Sequence, residues 1–232
     1  MNILKKALVG AAAVLAATSM VPAATADAAP RVTLGGGSGI IVGGNALCTL
    51  TTIGHDRAGR LVGLTAAHCG NNGASIRSER NPRAGVVGRI ATKGTGLDAA
   101  VIVFDASRVH AVRQVGRARI SGVGVYPRPY SNVCKAGRTT GYTCGPTLTN
   151  GKLDTYNYVC ADHGDSGGPV IAGGRVVGML NGALRIAGPG SPSIPCVTPA
   201  VPIYTPMVAT KMTTILASLN RTRYAGSGFR PI

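Results

Sequence analysis

Tryptophan is absent from this chain and phenylalanine occurs twice. Its cations are not interleaved with aromatic rings as a base-stacking platform requires, so specific nucleic-acid binding is not expected. Acidic residues are scarce too: eight Asp and Glu face 24 Lys and Arg, for a net charge of +16. Scattered cations such as Arg77, Arg80, Arg83, Arg89, Arg108 and Arg113 describe a soluble surface that also adheres to anionic polymers, the cell envelope among them. Beyond Ser166 there is no His, Asp or Glu, which excludes any chemistry that needs a serine followed by an acid and then a base. No metal-ligand cluster, phosphate loop or dinucleotide fingerprint occurs, so neither a metal nor a cofactor is expected.

Long apolar runs are also missing. The stretch from Ala7 to about Val21 follows Lys5 and Lys6 and precedes the small residues Ala23, Ala24, Ala26 and Ala28. It falls short of the ~20 residues that cross a bilayer and reads as a secretory signal peptide over 1–28, cleaved after Ala26 or, by preference, Ala28. The remainder, about 200 residues, suits one two-lobed domain. Six cysteines in an exported chain predict disulfides, with the pairing open from sequence alone. Runs such as Val86-Val87-Gly88-Arg89-Ile90 and Arg175-Val176-Val177-Gly178-Met179-Leu180 are apolar or β-branched and broken by glycine, the pattern of many short strands. Val208, Met212, Ile215, Leu216 and Leu219 share one face at helical spacing and predict a C-terminal helix after Pro206 that packs on the core. The tail after Asn220 is expected to be loose.

Chemistry concentrates in two segments, Gly164-Asp165-Ser166-Gly167-Gly168-Pro169 and Leu64-Thr65-Ala66-Ala67-His68-Cys69. A serine hydroxyl is a poor nucleophile until a histidine takes its proton and a carboxylate orients that histidine. The first segment also fits Gly-x-Ser-x-Gly, the nucleophile turn of α/β-hydrolases, but their order is Ser, acid, His, which this chain cannot complete. The order His, Asp, Ser can be completed. Asp98 is the preferred acid, because it heads the apolar run Ala99 to Phe104, where a carboxylate is costly to bury without a partner. Asp105 reads as a turn or cap residue, and Asp56, which precedes His68, sits in a hairpin turn.

Both motifs resemble those of the chymotrypsin-like serine peptidases. The segment Val133-Cys134-Lys135-Ala136-Gly137-Arg138-Thr139-Thr140-Gly141-Tyr142-Thr143-Cys144-Gly145 narrows the likeness to the bacterial streptogrisin and α-lytic branch. The resemblance implies an all-β fold: two antiparallel six-stranded β-barrels with a C-terminal α-helix. The N-terminal lobe would span 29–115 and carry His68 and Asp98. The C-terminal lobe would span 116–232 and carry Ser166. It also implies the disulfides Cys48–Cys69, Cys134–Cys144 and Cys160–Cys196, an oxyanion hole from the N–H groups of Gly164 and Ser166, and a supporting role for Asp165. Lys135 stands where the branch commonly has arginine and is the expected partner of Asp165, with Arg138 as fallback. Ile41-Val42-Gly43-Gly44 looks like an activation terminus but is read as an early strand. The substrate pocket would be walled by Ala161, Asp162 and His163, by Asn181, Gly182 and Ala183, and by roughly Val201 to Ile203. Asn181-Gly182-Ala183 stands in place of the branch's usual Ser-Gly-Gly, with Asn181 able to donate to Asp98.

The implied function is a secreted, monomeric serine endopeptidase acting on protein or peptide substrates. The alternatives are a catalytically silent binding module on the same scaffold, or an esterase or acyl-transfer enzyme acting on envelope components.

Overall fold

The computed structural model describes residues 31–94, 96–185 and 192–232. The predicted signal peptide, 1–28, lies outside the described residues. The chain enters with β1 (Val32–Leu34) and then builds β2 (Gly39–Val42), β3 (Ala46–Thr49), β4 (Thr52–His55) and β5 (Leu61–Thr65). β6 (Ser75–Ser78), β7 (Val86–Lys93) and β8 (Ala100–Phe104) follow. The short strands β9 (Val109–Ala111), β10 (Gln114–Val115) and β11 (Ala118–Arg119) cross to the second lobe. That lobe contains β12 (Asn132–Gly137), β13 (Gly141–Asn150), β14 (Asp154–Asn157), β15 (Pro169–Ala172), β16 (Arg175–Ala183) and β17 (Met207–Lys211). The helix α1 (Met212–Asn220) and a last strand, β18 (Arg230–Pro231), complete the chain.

The second lobe is a closed barrel in the order β12-β13-β14-β17-β16-β15. The first is an eight-stranded sheet, β18-β4-β5-β8-β7-β6-β2-β3. β3 and β4 lie near opposite ends of that order, yet only Leu50 and Thr51 separate them in the chain. A single bent arm therefore carries the sheet round on itself, and no β3–β4 ladder is needed to enclose the core. The pleat explains the burial: alternate residues of β2 and β6 are buried, whereas the central β5 is buried along its whole length.

Register positions the chemistry. β5 pairs antiparallel with β8, with Thr65 opposite Ala100. His68 lies three residues past Thr65 and Asp98 two residues before Ala100, so the ladder delivers them to the same edge. Ser166 lies three residues before β15, on the second lobe.

Two expectations change. Val208 belongs to β17 rather than to the helix, whose buried face is Met212, Ile215 and Leu219. The tail after Asn220 is packed: Ala225 and Phe229 are buried, and β18 extends the first-lobe sheet beside β4. Its anchor is Asp56, which accepts from the N–H groups of Ala58, Arg60 and Gly226 and from the Arg60 guanidinium. Burial raises the Asp56 pKa, but these donors outweigh it and hold the carboxyl below its usual range. Composition alone misses this, because two buried apolar groups and one distant carboxylate decide it.

Truncating the tail's apolar anchor tests this packing. Phe229→Ala is expected to lower stability by about 3–5 kcal/mol, read from the urea midpoint with disulfides intact. An unchanged midpoint would mark the tail as peripheral.

Candidate active site

His68 sits in a short 3₁₀ turn, Ala67–Cys69, that follows β5. Its Nδ1 lies 2.7 Å from Asp98 Oδ2, and its backbone N–H donates to Asp98 Oδ1 at 2.8 Å. Asn181, on β16, donates from Nδ2 to Asp98 Oδ2 at 3.0 Å and to the Asp98 carbonyl at 2.7 Å. The Asn181 amide is fixed in turn, since its Oδ1 accepts the Thr210 N–H. Burial pushes the Asp98 pKa up, but donation from His68 and Asn181 more than offsets it and the carboxyl is held below its usual range. Of the other acids weighed, Asp105 caps its own turn by accepting from Ser107, and Asp56 anchors the tail.

The loop that carries Ser166 permits a nearly complete account of its backbone hydrogen bonds. The carbonyl of His163 accepts from Thr139 Oγ1, that of Gly164 from Thr49 Oγ1, and that of Asp165 from the Gly168 N–H. The carbonyls of Ser166 and Gly167 accept from the Thr49 N–H and from Thr51 Oγ1. The Asp165 and Gly167 N–H groups donate to Asp162 and Leu180. Among the described residues, the N–H groups of Gly164 and Ser166 have no intramolecular acceptor. Two uncommitted donors next to a serine hydroxyl form an arrangement that receives a developing anion. Gly164 and Gly167 adopt φ of +94° and +83°, and a Cβ at Gly167 would lie 2.4 Å from the Thr49 carbonyl oxygen. Neither position accepts a larger residue without strain.

Asp165 is fully buried beneath this loop, as is Lys135, whose Nζ lies 2.8 Å from Asp165 Oδ2. Asp165 also accepts from the N–H groups of Thr139, Thr140 and Asp162 and from Thr140 Oγ1. Burial raises its pKa, but the Lys135 charge and these donors prevail and hold the carboxyl below its ordinary range. Burial holds the Lys135 ammonium below its ordinary range as well, with Asp165 offsetting part of the cost. Arg138, the fallback partner, instead grips Glu79 through Nε and Nη2.

The three disulfides are Cys48–Cys69, Cys134–Cys144 and Cys160–Cys196, the pairs that the resemblance implies. Cys48–Cys69 ties the His68 turn to β3. Cys134–Cys144 crosslinks facing positions of the β12–β13 hairpin.

His68 and Ser166 line one cavity of about 410 Å³. Ala161, Asp162, His163, Asn181, Gly182 and Ala183 line it as well. Val201 to Ile203 do not: Val201 and Ile203 are exposed, and the wall is built by Ser193, Ile194, Pro195 and Met207. Sequence reading also missed Thr49, Thr51, Glu79 and Thr139. Isolated threonines and a lone glutamate carry no local pattern that would have marked them.

No family model matches the chain. A Mycobacterium tuberculosis protein described as uncharacterized is 32% identical over 156 residues, covering 59% of this chain and 68% of that one. A Nocardiopsis protease superposes with a TM-score of 0.62 at 25% identity, over 81% of this chain and 96% of its own. A Cellulomonas bogoriensis chymotrypsin does so with a TM-score of 0.62 at 26% identity, over 87% and 99%.

The buried pair gives a stability prediction. Lys135→Met is expected to cost about 3–5 kcal/mol by stranding a buried charge. Because the folded Asp165 pKa is depressed, the stability it contributes is present above the unfolded carboxyl value, about 3.9, and is lost as pH falls through the folded value. The deficit of Lys135→Met relative to the unsubstituted protein, read from unfolding midpoints, should therefore be full above about pH 4 and narrow as pH falls, because protonation relieves the stranded Asp165 carboxylate. Superimposable profiles would count against the coupling.

Proposed function

The chain belongs to the bacterial branch of the chymotrypsin-like serine peptidases, and from that premise we propose that it is an exported serine endopeptidase working through His68, Asp98 and Ser166. The observation that carries the reading is the pair of uncommitted N–H groups at Gly164 and Ser166, on the loop that shares a cavity with the Asp98-bound His68.

Asp98 fixes the tautomer: with Nδ1–H donating to the carboxylate, Nε2 is left as the base. Ser166 Oγ attacks the scissile carbonyl carbon while its proton passes to His68 Nε2. The carbonyl oxygen becomes an oxyanion that accepts from the Gly164 and Ser166 N–H groups, each worth about 3 kcal/mol in the transition state. Collapse expels the amine, which takes the proton back from His68 and leaves an acyl-Ser166. Water, deprotonated by His68, then releases the acid and restores the serine. Asp98 stays ionised throughout, in keeping with its lowered pKa and with the Asn181 donor that stands beside it.

The inner wall supports a preference for apolar P1 side chains. Ala161, Leu180 and Met207 are buried and face the cavity, and apolar walls favour apolar ligands. Asp162 is engaged with the His163 N–H at 2.7 Å. Three disulfides support an extracytoplasmic site of action.

Labelling of the mature protein with a fluorophosphonate probe is expected, and Ser166→Ala should abolish it. A peptide library should then show cleavage after medium-sized apolar residues in preference to Lys, Arg, Asp or Glu. Folded, disulfide-bonded protein that takes up no probe would defeat the enzyme reading. Labelling without peptide cleavage would favour an esterase or acyl-transfer role.

A further inference from the structure

Three residues outside the proposed triad govern the direction of the Gly164 N–H. In a trans peptide the C=O and N–H point opposite ways. The His163 carbonyl is held at 2.6 Å by Thr139 Oγ1, at the tip of the β12–β13 hairpin. The Gly164 N–H, on the other side of that peptide, is therefore turned away from Thr139. The next peptide is fixed twice, by Thr49 Oγ1 on the Gly164 carbonyl at 2.9 Å and by the Asp165 N–H on Asp162 at 3.0 Å.

A hydroxyl has one proton, and what it accepts decides where that proton goes. Arg138 supplies the accepted bond in both cases. Its Nη1 donates to Thr139 Oγ1 at 2.9 Å, leaving the Thr139 proton for His163. Its backbone N–H donates to Thr49 Oγ1 at 3.1 Å, leaving the Thr49 proton for Gly164. Arg138 is itself held by the forked contact with Glu79, which lies just past β6 in the first lobe. A carboxylate–guanidinium fork fixes orientation as well as charge.

We propose that Arg138, braced by Glu79, orients Thr49 and Thr139 as positioning residues that aim the Gly164 N–H at the reacting carbonyl oxygen. The proposal rests on the peptidase reading above for its kinetic consequence, but its geometric content stands apart from turnover. These residues lie outside the proposed triad, and Thr49 meets it only through the bond from its backbone N–H to the Ser166 carbonyl. They act through the 163–165 backbone, and their loss should weaken transition-state binding while leaving ground-state binding alone.

The test uses Thr139→Val, whose site is solvent-exposed and does not threaten folding, together with Thr139→Ser, Arg138→Met and the Thr49→Val/Thr139→Val double variant. Thr139→Val is expected to lower kcat about tenfold, short of the hundredfold or more that follows loss of an oxyanion donor itself. KM should be nearly unchanged, affinity for a peptidyl boronate transition-state analogue should fall with kcat, and Thr139→Ser should keep full activity. Crystal structures should show the 163–164 peptide turned over in the double variant. A double variant with that peptide unmoved, or with kcat intact, overturns the proposal, as does a loss in Thr139→Ser equal to that in Thr139→Val. Unsubstituted protein that takes up no fluorophosphonate overturns the peptidase reading instead, and the peptide orientation in the double variant still decides the geometry.

Discussion

The buried Asp165 carboxylate is the constraint on which the rest of the site depends. It accepts five donors: Lys135 Nζ, Thr140 Oγ1 and the N–H groups of Thr139, Thr140 and Asp162. Taking such a charge out of water is affordable only with a paired cation and satisfied lone pairs. Lysine suits the place because its three protons meet three acceptors there: Asp165 Oδ2, Thr140 Oγ1 and the Gly141 carbonyl. A planar guanidinium would present its donors in a fixed fork to a pocket built around a single nitrogen. With Asp165 pinned, the adjacent Ser166 cannot drift, and both ends of the loop are constrained by one side chain.

The scarcity of acids gives this arrangement a wider meaning. Of the eight carboxylates in the sequence, the seven among the described residues have specific partners. Asp56 holds the tail, Glu79 grips Arg138, Asp98 accepts from His68, and Asp105 caps a turn. Asp154 takes the Thr210 hydroxyl, Asp162 the His163 N–H, and Asp165 pairs with Lys135. In a chain with threefold more cations than acids, negative charge is placed where a backbone segment or the His68 imidazole is held in orientation. Most of the cationic excess is left to the surface.

Legibility from sequence follows the range of each interaction. His68 and Ser166 are marked by contiguous residues, because the turn and the glycines that serve them are local. Asp98 is legible one step further, through the apolar strand it heads. Thr49 is not legible. Its hydroxyl meets Gly164 across 115 residues, and nothing near it in the chain announces that contact. The bend at Leu50-Thr51 that brings the first sheet round is equally silent, since neither residue is a turn former. The tail misleads for the opposite reason. Its local composition is that of a loose end, but Phe229 and the Gly226–Asp56 bond lie against a distant hairpin. The wall stands at 193–195 and not at the expected 201–203, because the register of an irregular connection leaves no periodic trace in the sequence.

The lobes are usually thought of as two supports that meet at a cleft, one for base and acid and one for the nucleophile. Here the division is incomplete. Three consecutive residues of the first lobe, Thr49, Leu50 and Thr51, form the bent arm, and its two threonines hold the carbonyls of Gly164, Ser166 and Gly167 in the second. Thr49 follows Cys48, and His68 precedes Cys69, so one disulfide joins the neighbours of His68 and of the threonine clamp. A shift of the arm would therefore move His68 and the Ser166 loop together. Catalytic hydrogen bonds tolerate only small misplacement, and a shared anchor preserves relative geometry even where absolute positions fluctuate. Asn181 makes the reciprocal connection, reaching from the second lobe to Asp98 on the first. With bonds crossing in both directions, the relation between His68 and Ser166 is built into the lobe interface rather than left to the docking of two independent lobes.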